Sequence, residues 1–269
     1  HGRETHFENQ NREKFKIGTF NAQGIVTPGM REEIENYMIK NNIKILALQE
    51  TRMKQNTKEA RTKFTWFLSG EIQHTVTDTN YTAGVGIVVS NDFVKYIDDI
   101  IPHSERILQI TLKGSIPINI LSIYMAQAGR PEDEKEKIYK KLDEITNKIK
   151  GKGPIYLMGD WNARMQTHQN KIERTVFGKW TLEPQKAKVH ELADDVTWNR
   201  TRCISFCIQH KLILTNTFFK KPKEKTATWR VVGQHMIAEV NKGTHEQIDF
   251  IATQNRFRNS IIDAESDTK

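Results

Sequence analysis

The sequence predicts an α/β or α+β domain, and three observations carry that prediction. Short β-rich runs alternate with amphipathic helical stretches along the chain. Polar residues recur where the apolar runs stop, and layered α/β proteins gather functional groups at such strand ends. Finally, 269 residues suffice to bury one large core, and no linker, internal repeat or low-complexity block divides them.

The elements follow in order. Residues 1–14 are polar and charged. They lack the apolar stretch of a signal peptide and read as a disordered or cloning-derived lead-in, with the domain over 15–269. A first strand is expected over 15–21. A helix follows with Thr27 as N-cap and Pro28 in its first turn; its apolar stripe is Met30, Ile34, Tyr37 and Met38. Residues 43–49 read as a buried strand ending at Glu50 and Thr51. Further strands are expected over 63–68, 85–90, 106–112 and 119–125. A charged helix over 131–150 turns Ile138, Leu142, Ile145 and Ile149 inward. Residues 154–158 form a strand that runs into Gly159-Asp160-Trp161-Asn162-Ala163. The polar, aperiodic stretch 164–196 reads as a long loop with short helical turns, of the kind that faces substrate. A helix over 197–210 and strands over 212–218, 226–231, 247–252 and 261–264 complete the chain.

Composition narrows the function. Lys and Arg outnumber Asp and Glu by 41 to 33, a net charge of +8. Such a surplus attracts polyanions by counterion release, although it also serves plain solubility. Charged residues make up 28 % of the chain, and no apolar run approaches a membrane span. The two cysteines, Cys203 and Cys207, are four apart, the spacing of one helix face. They suit buried free thiols better than a disulfide framework or a zinc site. That usage points to a reducing compartment, nucleus or cytoplasm, and away from secretion.

Four polar signatures sit at strand ends: Asn21, Glu50, Asp160 with Asn162, and Asp249. Taken singly, Asn21 is an ordinary turn residue, Glu50 a surface carboxylate and Asp160-x-Asn162 an Asx-turn. Asp249 inside an apolar strand is harder to explain by packing, because a buried carboxylate needs a partner. Carboxylates with carboxamides between them suit a hard divalent cation, Mg²⁺ or Mn²⁺.

In order and spacing, Asn21-Ala22-Gln23-Gly24, Leu48-Gln49-Glu50-Thr51, Ser122-Ile123-Tyr124, Gly159-Asp160-Trp161-Asn162-Ala163 and Gln247-Ile248-Asp249-Phe250-Ile251 resemble the successive motifs of the endonuclease/exonuclease/phosphatase superfamily. The resemblance covers the chain from about Lys16 onward. It implies a four-layer sandwich of two mixed β-sheets flanked by helices. Asn21-Ala22-Gln23-Gly24 and Thr215-Asn216-Thr217-Phe218-Phe219, followed by Ala227-Thr228-Trp229, are similar to the endonuclease domains of non-LTR retrotransposons. Repair endonucleases usually carry Asp where Gln23 stands.

The resemblance further implies a Mg²⁺-dependent endonuclease that nicks double-stranded DNA. The 3′-hydroxyl left behind would be extended by a reverse transcriptase domain in the same polyprotein. Glu50 and Asn21 would hold the metal, Asp160 would activate water, and Asn162 and Tyr124 would contact water or phosphate. Asp249 would orient a histidine, while Gln23, Arg52, Arg164 and Thr228 would touch DNA. The family's last motif, Ser-Asp-His, stands here as Ser266-Asp267-Thr268. Either Thr268 replaces the histidine, or the chain stops ahead of the true motif; the short interval from Asp249 favours the latter. Loss of a final strand would leave its neighbour as a sheet edge open to pairing. Two other readings stay open: a nucleic-acid-binding module without catalysis, and a phosphatase or phosphodiesterase acting on small molecules.

Overall fold

The computed structural model describes residues 14–70, 83–182, 193–230 and 245–267. The first sheet is built from the N-terminal part of the chain: β1 (Lys16–Asn21), β2 (Ile43–Gln49), β3 (Thr57–Ala60), β4 (Phe64–Ser69) and β5 (Val85–Ser90). The helix α1 (Met30–Asn41) carries the chain from β1 to β2, which pair in parallel as a helical crossover allows. Strand order is β1-β2-β5-β4-β3, so β1 is one edge.

After the single turn α2 (Asn91–Val94), the chain builds the second sheet. It comprises β6 (Ile97–Ser104), β7 (Ile107–Leu112), β8 (Ile118–Tyr124), β9 (Ile155–Asp160), β10 (Leu212–Leu214) and, later in the chain, a strand over Asp249–Gln254. The helix α3 (Glu132–Ile149) makes the parallel crossover from β8 to β9, and α4 (Asp194–His210) precedes β10. A two-stranded ribbon, β11 (Trp229–Arg230) with β12 (His245–Glu246), leads into β13 (Asp249–Gln254). The second sheet runs β10-β13-β9-β8-β7-β6.

Three apolar seams hold four layers together. Ile34 and Met38 of α1 pack on Leu46, Leu48 and Trp66 of the first sheet. Ala47, Ile87 and Val89 meet Leu108, Ile110 and Ile120 between the sheets. Ile138 and Leu142 of α3, with Cys203 and Phe206 of α4, cover the far face of the second sheet on Leu121 and Leu157. β4 and β5 are buried at every position, which is why they read as continuous apolar runs rather than alternating ones. Among the described residues no helix is long and apolar enough to cross a membrane.

Several expectations need correction. α1 starts after Gly29, held at φ +87°, and not at Thr27, whose carbonyl only closes a turn with the Met30 amide. Tyr37 faces outward, its hydroxyl donating to Asp267 at 2.7 Å. Three strands were not foreseen, the two-residue β12 among them. β3 is an edge strand of Thr-Lys-Glu-Ala and so needs no apolar face; β6, the opposite sheet's edge, accommodates Pro102 beside register shifts. His103 sits on β6. The expected strand over 212–218 stops at Leu214, because residues 215–217 close a 3₁₀ turn. The one expected over 247–252 begins two residues later, at Asp249. Of 226–231, only Trp229 and Arg230 are paired; Val231 lies outside the described residues.

The described part of 164–196 is a loop with short helical turns, as expected. It holds a 3₁₀ turn over Glu173–Thr175, a bridge from Phe177 to Leu214, and the first turn of α4, which starts three residues before the expected helix. Residues 261–267 form no strand. They run extended past Lys221 and Lys225, which Asp263 and Glu265 neutralise, and the Ser266 amide donates to the Lys225 carbonyl. Thr268 and all of the 1–14 lead-in except Lys14 lie outside the described residues.

Candidate active site

The two sheets present their site residues from facing strand ends. β1 ends at Asn21 and β2 runs out into Glu50. Across the seam, Asp160 closes β9 with Tyr124 opposite it on β8 and Asp249 opposite it on β13. The register puts all three side chains on the face turned toward the first sheet, as strand alternation requires. Gly159 precedes Asp160 for a steric reason: a Cβ there would lie 1.9 Å from the Ile123 carbonyl oxygen. Glycine therefore lets β8 and β9 close up where the Asp is displayed.

One hydrogen-bonded set joins these ends. The Asn21 carboxamide donates to Glu50 Oε1 at 2.8 Å and to Asp160 Oδ2 at 3.3 Å. The Tyr124 hydroxyl donates to the same Glu50 oxygen at 3.0 Å. The Asn162 amide caps Asp160 Oδ1 at 2.8 Å, while its side chain donates to the Met125 carbonyl. Glu50 and Asn162 hold φ of +51° and +49°, and Gln23 and Arg52 are also left-handed. Non-glycine residues take that conformation only where surroundings enforce it. At Glu50 the enforcement is visible: the Thr51 and Arg52 amides donate to the Gly84 and Ala83 carbonyls.

The electrostatics are those of crowded acids. Burial, then the Asp249 and Glu50 charges, raise the Asp160 carboxyl well above the usual carboxylate range, against the Asn162 amide and the Asn21 side chain. Burial pushes Asp249 up to about 7, with Thr228 opposing and Glu50 adding to the rise. Burial followed by the two carboxylates raises the Tyr124 phenol, so it stays a donor. Buried Asp249 Oδ1 has no hydrogen-bond partner.

This donor set fits a hard divalent cation. All its atoms are oxygens, it carries surplus negative charge, and it holds an orphaned carboxylate oxygen. Among the described residues no three His, Cys, Asp or Glu side chains form a complete cage. Mg²⁺ needs none, since it keeps several waters and takes one or two carboxylates plus substrate phosphate. Glu50 and Asn21 are the residues that would hold it.

The remaining sequence candidates are more dispersed. Gln23 is exposed, and its amide donates to Asn21 Oδ1. Arg52 is exposed and lies over Gly24, beside Glu50. Arg164 is paired with Glu246. The Thr228 hydroxyl accepts the Ile248 and Asp249 amides at 3.0 and 3.1 Å, so it fixes the start of β13. His168 Nε2 donates to the Phe177 carbonyl and His210 Nε2 to Asp143, so neither imidazole is bonded to the Asp160 set.

Residues of α4 escaped the sequence reading. The Asn199 carboxamide donates to the Asn162 and Ala126 carbonyls at 2.9 and 3.1 Å, tying the turns after β9 and β8 together. Arg200 donates to both Glu173 oxygens and to the Met165 and Thr167 carbonyls, and so pins the loop after Asn162. The available signal was their position: both fall on the stripe that continues through Cys203, Phe206 and Cys207 to His210.

Known proteins match along most of the chain. Residues 18–203 match the family described as "Endonuclease/Exonuclease/phosphatase family". Craniofacial development protein 2 of Bos taurus is 24 % identical over 95 % of this chain, and its Tragulus javanicus counterpart likewise. The chain spans only 38 % and 40 % of those two relatives. Among solved structures, a Neisseria 3′ phosphatase bound to a product DNA hairpin superimposes with a TM-score of 0.61 at 17 % identity, over 91 % of this chain and 89 % of that one. The Xenopus laevis APE2 catalytic domain gives 0.62 at 12 %, over 91 % and 84 %. An AP endonuclease from Archaeoglobus fulgidus gives 0.59 at 15 %, over 91 % and 89 %. At these identities the likeness is one of fold: the two-sheet sandwich flanked by helices.

Proposed function

Because the chain belongs to the Endonuclease/Exonuclease/phosphatase family, we propose that it is a metal-dependent DNA endonuclease, leaving a 3′-hydroxyl at each nick. One observation carries this most: the Asn21–Glu50–Tyr124–Asp160 set, drawn from both sheets onto one point. A bound Mg²⁺ or Mn²⁺ would act as Lewis acid toward the phosphate and the leaving oxygen.

The chain's own residues supply the rest. Asp160 takes the proton of the attacking water, and burial together with the Asp249 and Glu50 charges raises its basicity for that step. Asn162, locked by its two hydrogen bonds, positions that water. Tyr124 donates to a phosphate oxygen once Glu50 is engaged elsewhere. Asp249 Oδ1, free of partners, is the atom available to orient a histidine imidazole. The net charge of +8 favours a polyanionic substrate over a small phosphate ester. The finer reading is that of a non-LTR retrotransposon endonuclease, whose 3′-hydroxyl primes reverse transcription by a domain of the same polyprotein on nuclear DNA. Asn21-Ala22-Gln23-Gly24 and Thr215–Phe219 support it.

Supercoiled plasmid is the test substrate, with Mg²⁺, with EDTA, and with Asp160→Ala. The expected result is metal-dependent nicking, reduced about 10²- to 10⁴-fold in the variant, with nicks that a polymerase extends. Intact DNA binding without nicking would refute catalysis on DNA and leave a binding module.

A further inference from the structure

On the second-sheet flank of the site, an aromatic ring gathers two ammonium groups. Lys179 Nζ lies 4.7 Å and Lys220 Nζ 5.4 Å from the centroid of the half-buried Trp180 ring. Both lysines are exposed. Distance to one shared centroid keeps the two ammonium groups within about 10 Å of each other.

The way these cations are held sets them apart. Lys221 and Lys225 are neutralised by Asp263 and Glu265, Arg164 by Glu246, and Arg200 by Glu173. Lys179 and Lys220 make no ion pair among the described residues. A ring quadrupole attracts a cation without cancelling its charge. Trp180 therefore positions two full positive charges and leaves both available to an anion.

The backbone ties this group to the site. The Trp180 amide donates to the Thr217 carbonyl at 3.1 Å and the Gly178 amide to Thr217 Oγ1 at 2.8 Å. The next residue along, Asn216, donates to the Asp249 carbonyl. Thr181 donates to the Gln166 carbonyl, four residues past Asn162, and the Leu182 amide to Gln247, two residues before Asp249. β10 points toward the same sheet end as β9, and Lys220 extends beyond it.

We infer that Lys179 and Lys220, held by Trp180, form a backbone-phosphate clamp for the DNA strand flanking the scissile bond. Arg52 is exposed two residues after Glu50, on the first-sheet side, so the strand would cross the seam between the sheets. The clamp rests on the DNA-endonuclease reading, and the test separates the two.

Duplex oligonucleotide binding is measured in EDTA over a salt series, so cleavage plays no part. Each lost phosphate contact lowers the slope of log K against log salt by about 0.9. Lys179→Gln with Lys220→Gln should therefore flatten the slope by about 1 to 2 and weaken binding about tenfold at low salt. Lys137→Gln with Lys141→Gln, on the outer face of α3, removes the same total charge and should leave the slope unchanged. Equal slopes for the parent and the Lys179/Lys220 variant, or equal flattening by the α3 control, would overturn the clamp while leaving the nuclease reading standing. A parent that binds no duplex at all would overturn both.

Discussion

The buried Arg200–Glu173 pair offers the sharpest test of how the site is held. Its side chains are 5 % and 7 % exposed, and Arg200 spends four hydrogen bonds on Glu173 and on the Met165 and Thr167 carbonyls. Arg200→Met keeps the apolar stem and removes every one of those donors. It strands a buried carboxylate and two carbonyls, and breaking a buried pair in this way costs about 3–5 kcal/mol. At about 2–4 °C per kcal/mol for a domain near this size, Tm should fall by on the order of 10 °C. Burial alone would raise the Glu173 carboxyl, but Arg200 and the Gln169 amide hold it below its ordinary 4.5. A depressed folded value means stability that is present above 4.5 and lost as pH falls through the lower folded value. The gap between parent and variant should therefore narrow below pH 4.5. Adding Glu173→Leu should recover much of the loss, since an apolar pair is tolerated where half an ion pair is not. Calorimetry of the four proteins decides it. A single-variant loss under about 1 kcal/mol, or a double variant as unstable as the sum of its singles, would falsify the account.

Further outcomes follow from other contacts. Asn199→Ala removes the amide that bridges the Asn162 and Ala126 carbonyls; steady-state kinetics should show kcat down about tenfold with KM little changed, as for one lost kcal/mol or so of positioning. A hydrogen bond from the Cys207 thiol to Cys203, and then burial, raise the Cys207 thiol, and both thiols are buried, so a colorimetric thiol reagent should label neither until the chain is unfolded. Glu50→Gly relieves a left-handed backbone at φ +51° and removes one of three crowded carboxylates. Folding stability should rise by about 1 kcal/mol from the backbone alone, read as a higher Tm, while plasmid nicking disappears.

Much of this architecture was legible because periodicity and burial agree. β2, β5, β8 and β9 are interior strands, and their apolar runs and the polar residues that end them stand out directly. Asn21, Glu50, Tyr124 and Asp160 were found one by one and do converge. The edge strands β3 and β6 were not legible, because β3 buries too little to need an apolar pattern and β6 carries a proline that edges tolerate. Nor was the support layer. Asn199, Arg200 and Glu173 act through carbonyls of distant turns, and only the folded chain brings those turns within reach. The strand expected over 261–264 failed for a related reason: its Asp263 and Glu265 are drawn to Lys221 and Lys225 instead of a sheet.

The division of labour between the sheets has a consequence for how activity comes into being. The first sheet is spent by residue 90 and the second begins at 97. Asn21 and Glu50 belong to the earlier part of the chain; Tyr124, Asp160 and Asp249 belong to the later. Only the docked sandwich brings them together, through Asn21 to Asp160, Tyr124 to Glu50, and the buried ties from Ser122 to Leu48 and Gln49. The site is in this sense a coincidence detector. It stays unassembled until β13, which follows the other strands of both sheets in the sequence, has paired between β10 and β9. An incomplete or half-docked chain can hold a full set of strands in one sheet and still lack an assembled site.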